Sequence, residues 1–224
     1  VCPGASGYPK EVADPDLGPV YPNTPTGIVY NKAQMKAADT PKSLEDLLHA
    51  KYRGKLVMPD PTQHTTTLQW LASLYKIMGK QSSEKFIVEL GATKPFLVES
   101  LAPSAERVST GETPVGISLI RYVVTYSEKG APVDYVRLGK MLSTGQYLAL
   151  SNKAPRPNSG KAFIDFFLGD ESMAILARMG EFVNRKGFYP PLPGADKIQA
   201  VEMDDFDAKG FADKTREYQK LFLK

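Results

Sequence analysis

Lys55-Leu56-Val57-Met58-Pro59-Asp60-Pro61-Thr62-Gln63-His64-Thr65-Thr66-Thr67-Leu68 reads as a buried strand, a turn and the beginning of a helix. The apolar run ending at Pro59 is short and bounded, as a strand covered on both faces should be. Asp60-Pro61-Thr62 then forces a turn. From residue 65 the apolar positions Leu68, Leu71, Ala72, Tyr75 and Met78 fall at helical spacing, and Gly79 is a natural stop. A strand feeding a helix through a tight turn is the repeating unit of an α/β fold.

The same alternation extends along the chain in both directions. Upstream, Pro9, Pro15, Pro19, Pro22 and Pro25 oppose helix and lead into an extended segment, residues 27–31. Ser43 with Asp46 three residues later predicts a capping box and a short helix ending before Gly54. Downstream, the pattern predicts a helix at 83–90, a strand at 95–99, a helix at 103–110 and a strand at 115–120. A helix at 122–129 and extended segments at 133–138 and 147–150 follow. Asn158 is expected to cap a helix with Phe163, Phe166 and Phe167 on one side, where the helical spacing favours core packing over base stacking. Gly169-Asp170 interrupts it, Met173, Leu176 and Met179 continue it, and a last amphipathic helix spans 207–222. Such alternation predicts an α/β fold with a mainly parallel sheet.

Composition narrows the function classes. The chain has 224 residues, 42% apolar and 24% charged, enough to bury a sizeable core. Its formal charge of +3 comes without a basic cluster, which argues against nucleic acid as a partner. Cys2 is the only cysteine, so no disulfide can form within the chain and thiolate zinc sites are excluded. No apolar run reaches the ~20 residues of a membrane span. The first residues, 1–16, lack the pattern of a secretory leader.

Signatures of catalysis are missing. With only His49 and His64, a histidine-based triad or metal site has little material. No H-E-x-x-H, G-x-S-x-G, phosphate-binding G-x-x-x-x-G-K-[ST] or G-x-G-x-x-G occurs, and no cofactor is implied. Asp204, Asp205 and Asp207 lack the spacing of a calcium loop and read as a solvated approach to the last helix.

One constellation carries plausible chemistry. Gln63-His64-Thr65-Thr66-Thr67 stands at a predicted helix start, where free amides and the positive end of the helix dipole favour an anion and hydroxyls add donors. The alternative, that one threonine caps the helix while the others are merely exposed, is equally open on local sequence. Glu99-Ser100-Leu101-Ala102-Pro103-Ser104 forms a second strand-to-helix junction, with simple capping by Ser104 as its competing reading. In open α/β sheets ligands gather outside the carboxyl ends of the strands, so two such junctions can face one cleft.

Taken in order, several segments resemble the ferric-ion and related solute-binding proteins of ABC importers, in the type II periplasmic-binding-protein superfamily. They are Pro25-Thr26-Gly27-Ile28-Val29-Tyr30-Asn31, Ser43-Leu44-Glu45-Asp46-Leu47, Tyr52-Arg53-Gly54-Lys55 and Met58-Pro59-Asp60-Pro61. Further on come Ser104-Ala105-Glu106-Arg107-Val108, Thr110-Gly111-Glu112, Asn152-Lys153-Ala154-Pro155 and Phe163-Ile164-Asp165-Phe166-Phe167-Leu168.

The resemblance implies one complete lobe and part of a second, closing on a solute. Residues 1–30 would be linker and first interlobe crossing, 31–145 the ligand-binding lobe, and 146–224 the return crossing and C-terminal helical part. A domain-sized block present in the family has no counterpart, so the chain is expected to be a fragment. The expected partners are a small-molecule solute and the membrane permease of an ABC importer. The protein is expected to be a monomer, extracytoplasmic and not an enzyme.

By position, residues 63–67 look like the family's helix-start anion loop and Ser100 to Ser104 like a second ligand-facing junction. Ser118, Arg121 and Tyr122 look like a ligand-facing strand end and the helix after it. Ferric-ion binders of this kind use adjacent tyrosines there, whereas this chain has Arg121-Tyr122-Val123-Val124, with Tyr126 a helical turn further on. Hydroxyls, a histidine and an arginine suit a small anionic organic or phosphorylated solute. Ferric ion or a ferric chelate is the alternative within the family. The effector-binding domain of a LysR-like regulator is the alternative within the fold, although no basic recognition helix stands at the chain's start.

Overall fold

The computed structural model describes residues 3–10, 13–14 and 18–223. Cys2, Pro15 and other residues of the stretch tested for a leader lie outside the described residues. The chain forms two compact units, residues 1–24 with 144–196 and residues 25–143 with 197–224. It passes between them three times. The expected division at 31, 145 and 146 therefore differs at the C-terminus: the last helix packs on helices of the second unit, and its apolar face takes it there.

The second unit holds most of the sheet. Its strands are most of β3 (Pro22–Asn31), β4 (Leu56–Pro59), β5 (Phe96–Val98), β6 (Val115–Leu119), β7 (Val133–Tyr135), most of β8 (Lys140–Gly145) and β10 (Gln199–Glu202). The spatial order is β10-β8-β3-β6-β4-β5, with β7 also beside β3. β4 runs parallel to both β5 and β6, and β8 parallel to β10, whereas β3 is antiparallel to β6 and β7. The sheet is thus mixed, not mainly parallel, because β3 runs against the strands that carry the helical crossovers.

Helices cover both faces of that sheet. α1 (Thr65–Ser73), α2 (Tyr75–Met78), α3 (Lys80–Ala92) and α8 (Ala208–Phe222) lie on one side. There Leu68, Leu71, Phe86, Leu90, Tyr218 and Phe222 join Ile28, Leu56, Met58, Ile117 and Leu142 of the strands in one core. α4 (Leu101–Thr110) packs on β6 and β4 from the other side, and α5 (Arg121–Ser127) follows β6. Gly116 makes the close approach of α4 possible: a Cβ there would stand 2.7 Å from Val57 Cγ1 and 3.1 Å from Ser104 Oγ.

Several predicted elements change form. The capping box is present, with Ser43 Oγ accepting from the Asp46 amide and Asp46 Oδ2 accepting from the Ser43 amide, each at 3.3 Å. It opens 3-10 turns, Glu45–Leu48 and Ala50–Tyr52, in place of an α-helix. Leu44 and Leu47, three apart and both buried, suit that tighter spiral. The long helix from residue 65 breaks at Leu74, giving α1 and α2. No strand forms at 147–150; β8 takes that part earlier, where Met141, Leu142 and Ser143 are all buried and no alternation marks them.

The first unit is small. A two-residue hairpin pairs β1 (Ala13–Asp14) with β2 (Gly18–Pro19), and β9 (Phe182–Val183) pairs with Pro22 and Asn23 at the start of β3. α6 (Pro157–Phe167) and α7 (Asp170–Arg178) supply the helices. Tyr8, Leu168, Met173, Ala177 and Val183 form the core, with the Tyr8 hydroxyl donating to the Leu168 carbonyl at 3.1 Å. Arg156, not Asn158, stands at the cap position of α6, and Pro157 is its first residue, as its missing amide hydrogen allows. Phe167 packs edge-on against Tyr21, but Phe163 and Phe166 are 55% and 61% exposed, so the expected core stripe is only partly buried.

Candidate functional site

Parallel β4, β5 and β6 end together, and their carboxyl ends lead into α1, α4 and α5. α1 leaves toward one face of the sheet and α4 toward the other, the arrangement that opens a crevice beyond the strand ends. Residues of this edge come from distant parts of the chain, yet all belong to the second unit.

Asp60 builds the first junction. It is buried, and its carboxylate accepts from the Thr62 amide at 2.8 Å, the Thr62 hydroxyl at 2.7 Å and Gln63 Nε2 at 3.2 Å. Its amide donates to the Val98 carbonyl at 2.8 Å, tying the turn to β5, while its carbonyl accepts from the Gln63 and His64 amides. Sequence reasoning marked the turn but missed the buried carboxylate as its organiser; Asp two residues before a threonine was the available signal.

His64 caps α1 with its ring. Nδ1 accepts from the Thr67 amide at 3.2 Å and stands 2.8 Å from Thr67 Oγ1. An acceptor Nδ1 requires the neutral ring with its proton on Nε2. Burial agrees, holding the His64 pKa below the ordinary histidine value. Thr67 is buried with its hydroxyl committed to this cap, and so does not face a solute. Gln63 is exposed and serves the turn.

What remains open at the helix start is backbone. Among the hydrogen bonds of the described residues, the Thr65 and Thr66 amides have no partner, while Thr67 and Leu68 donate to the His64 carbonyl. Thr65 is exposed and Thr66 half-buried. These two unspent donors stand at the positive end of the helix dipole.

The second junction divides differently from expectation. Ser100 precedes α4, is half-buried and makes no side-chain cap. The Leu101 and Ala102 amides beyond it also lack partners among the described residues. Ser104, by contrast, is fully buried and donates to the Ile117 carbonyl at 2.7 Å. Ser118 is equally buried and donates to the Leu101 carbonyl at 2.5 Å. Both hydroxyls fasten α4 to β6, and their assignment to ligand contact is corrected: small side chains were needed where helix and sheet come closest.

Arg121 and Tyr122 open α5 at the end of β6, both half-buried, the guanidinium 5.4 Å from the Tyr122 ring centre. Tyr122 and Tyr126 rings are 6.3 Å apart. Burial first, then Glu106 and Tyr122, raise the Tyr126 pKa above the ordinary tyrosine value. Among the described residues no group of three or more His, Cys, Asp or Glu side chains is placed to hold a metal ion. Nor is any helix among them long and apolar enough to cross a membrane. His49 is exposed between two 3-10 turns, and Asp204, Asp205 and Asp207 bond to Lys76, Gln69 and the Gly210 amide.

Comparison with known proteins places the fold. The structure resembles the substrate binding protein of an ABC transporter from Agrobacterium tumefaciens, with a TM-score of 0.78 at 16% identity, covering 98% of this chain and 71% of that one. It also resembles the periplasmic binding protein AfuA of Actinobacillus pleuropneumoniae, solved with fructose-6-phosphate bound, with a TM-score of 0.65 at 18% identity over 99% and 72% of the two chains. Iron-bound HitA of Pseudomonas aeruginosa gives 0.67 at 19% identity over 98% and 73%. These likenesses confirm the α/β, type II periplasmic-binding-protein-like fold. A curated relative, an uncharacterised protein of Haemophilus influenzae, is 22% identical over 152 residues, spanning 66% of this chain and 43% of that protein's length. The family model for bacterial extracellular solute-binding proteins matches residues 8–209, and the chain belongs to that family.

Proposed function

We propose that the protein is the solute receptor of an ABC importer and takes a small organic anion, with a phosphate or carboxylate group on the Thr65 and Thr66 amides. The single observation that carries this reading is that pair of unpartnered amides at a helix start on the carboxyl edge of the sheet. Family membership supports the receptor role and an extracytoplasmic location over an enzyme or a transcription regulator. The Leu101 and Ala102 amides, the Ser100 hydroxyl and Arg121 belong to the same edge and supply further donors.

Relatives of this fold include a sugar-phosphate complex and an iron complex. The anion is favoured here because helix-start amides donate hydrogen bonds, whereas a ferric ion needs anionic oxygen donors. Titration calorimetry with glucose 6-phosphate, inorganic phosphate, citrate and ferric nitrilotriacetate tests the choice. Saturable binding of the phosphate ester or the carboxylate is expected. Binding of the ferric compound alone would reverse it.

A further inference from the structure

The helical layer of the second unit does not close. Between α1, α2, α3 and α8 it leaves a cavity of about 520 Å³. α3 and α8 meet at Gly91, where a Cβ would stand 2.6 Å from the Leu221 carbonyl oxygen, and the gap opens beside their preceding turns.

The interior is apolar. Leu71 and Tyr218 are fully buried, and Ala72, Phe206 and Leu221 are half-buried along the wall. Tyr75 and Val88 carry the same surface out to the mouth, where they are 44% and 53% exposed. Ser83 also lines the space, but its hydroxyl is spent on the Lys80 carbonyl at 2.8 Å. A space of this size, apolar within and polar at the edge, has the dimensions of a small-molecule site.

Charge at the rim says what enters. Lys214 pairs with Glu217 at 2.8 Å, and Asp204 pairs with Lys76 at 2.6 Å. Lys80 and Glu84, one turn apart on α3, add one charge of each sign. With no net charge to meet it, an ion would lose hydration on entering without recompense, whereas a neutral molecule gains apolar contact. Tyr75, Phe206 and Tyr218 contribute rings, and aromatic rings pack favourably against one another.

We infer that this cavity is a second ligand site, which takes an uncharged, largely apolar aromatic compound. Thr65, Thr66, Ser100 and Arg121 do not line it, so the site stands independently of the anion reading.

Two dyes with the same rings test it, neutral N-phenyl-1-naphthylamine and its sulfonate, 1-anilinonaphthalene-8-sulfonate. Fluorescence titration of the folded protein is expected to show saturable binding of the neutral dye and about tenfold weaker binding of the charged one. Ala72→Phe fills the space with a ring and should abolish neutral-dye binding without lowering the Tm. Val88→Glu places an unmatched charge at the exposed mouth, where substitution is well tolerated, and should weaken binding several-fold. Phe166→Ser, on the exposed side of α6, should leave it unchanged. Neutral-dye binding that survives both cavity variants, equal affinity for the two dyes, or no saturable binding at all would overturn the inference.

Discussion

His64 Nδ1 stands 3.2 Å from the Thr67 amide nitrogen and accepts its hydrogen, so a histidine does at α1 what serine or aspartate does at most helix starts. The cap orients the first turn and leaves the Thr65 and Thr66 amides unspent beside it. Replacing His64 with alanine should cost about 1 kcal/mol of stability, and His64→Asn should recover most of it. Denaturant unfolding measures both.

The same cap makes stability depend on pH. Burial lowers the folded-state pKa of His64, so the unfolded chain takes up its proton first as pH falls. Stability is therefore full above the unfolded value, about 6.5, and declines as pH drops below it. Comparing unfolding at neutral and mildly acid pH should show this loss in the unsubstituted protein and a smaller one in His64→Asn. An equal loss in both would assign the effect to other groups.

Asp60 holds three donors from a buried position. Asp60→Ala should cost about 2 to 3 kcal/mol, in the range of charge-assisted bonds, and should weaken anion binding because the turn no longer fixes α1. Circular dichroism through a urea titration, paired with calorimetry, separates the two losses.

Ser104 and Ser118 were expected to face a solute and instead fasten α4 to β6. Ser104→Ala and Ser118→Ala should each lower stability by about 1 kcal/mol and leave solute affinity unchanged. A loss of affinity without loss of stability in either variant would restore the original assignment.

The sequence was informative wherever a local rule had a local cause. Strand, turn and helix around Asp60 follow from proline placement and apolar spacing, and α8 begins at Asp207, whose carboxylate caps it at 2.7 Å from the Gly210 amide. The start of α1 at Thr65 was legible for the same reason, since a helix start advertises itself by its residues. Which hydroxyl faces outward was not legible. Thr65 and Thr67 have the same chemistry, and only the helical turn that buries Thr67 under the His64 ring distinguishes them. The serines of α4 and β6 depended on how closely a helix approaches Gly116, a tertiary fact. Phe163 and Phe166 sit at core spacing and are nonetheless exposed, because periodicity gives a face but not what covers it.

The most direct measurement follows the backbone amide resonances of Thr65 and Thr66 by nitrogen-proton NMR during a glucose 6-phosphate titration. Saturable downfield proton shifts at these two positions, among the largest in the spectrum, are predicted. Saturation of the protein with both resonances unmoved would contradict the account.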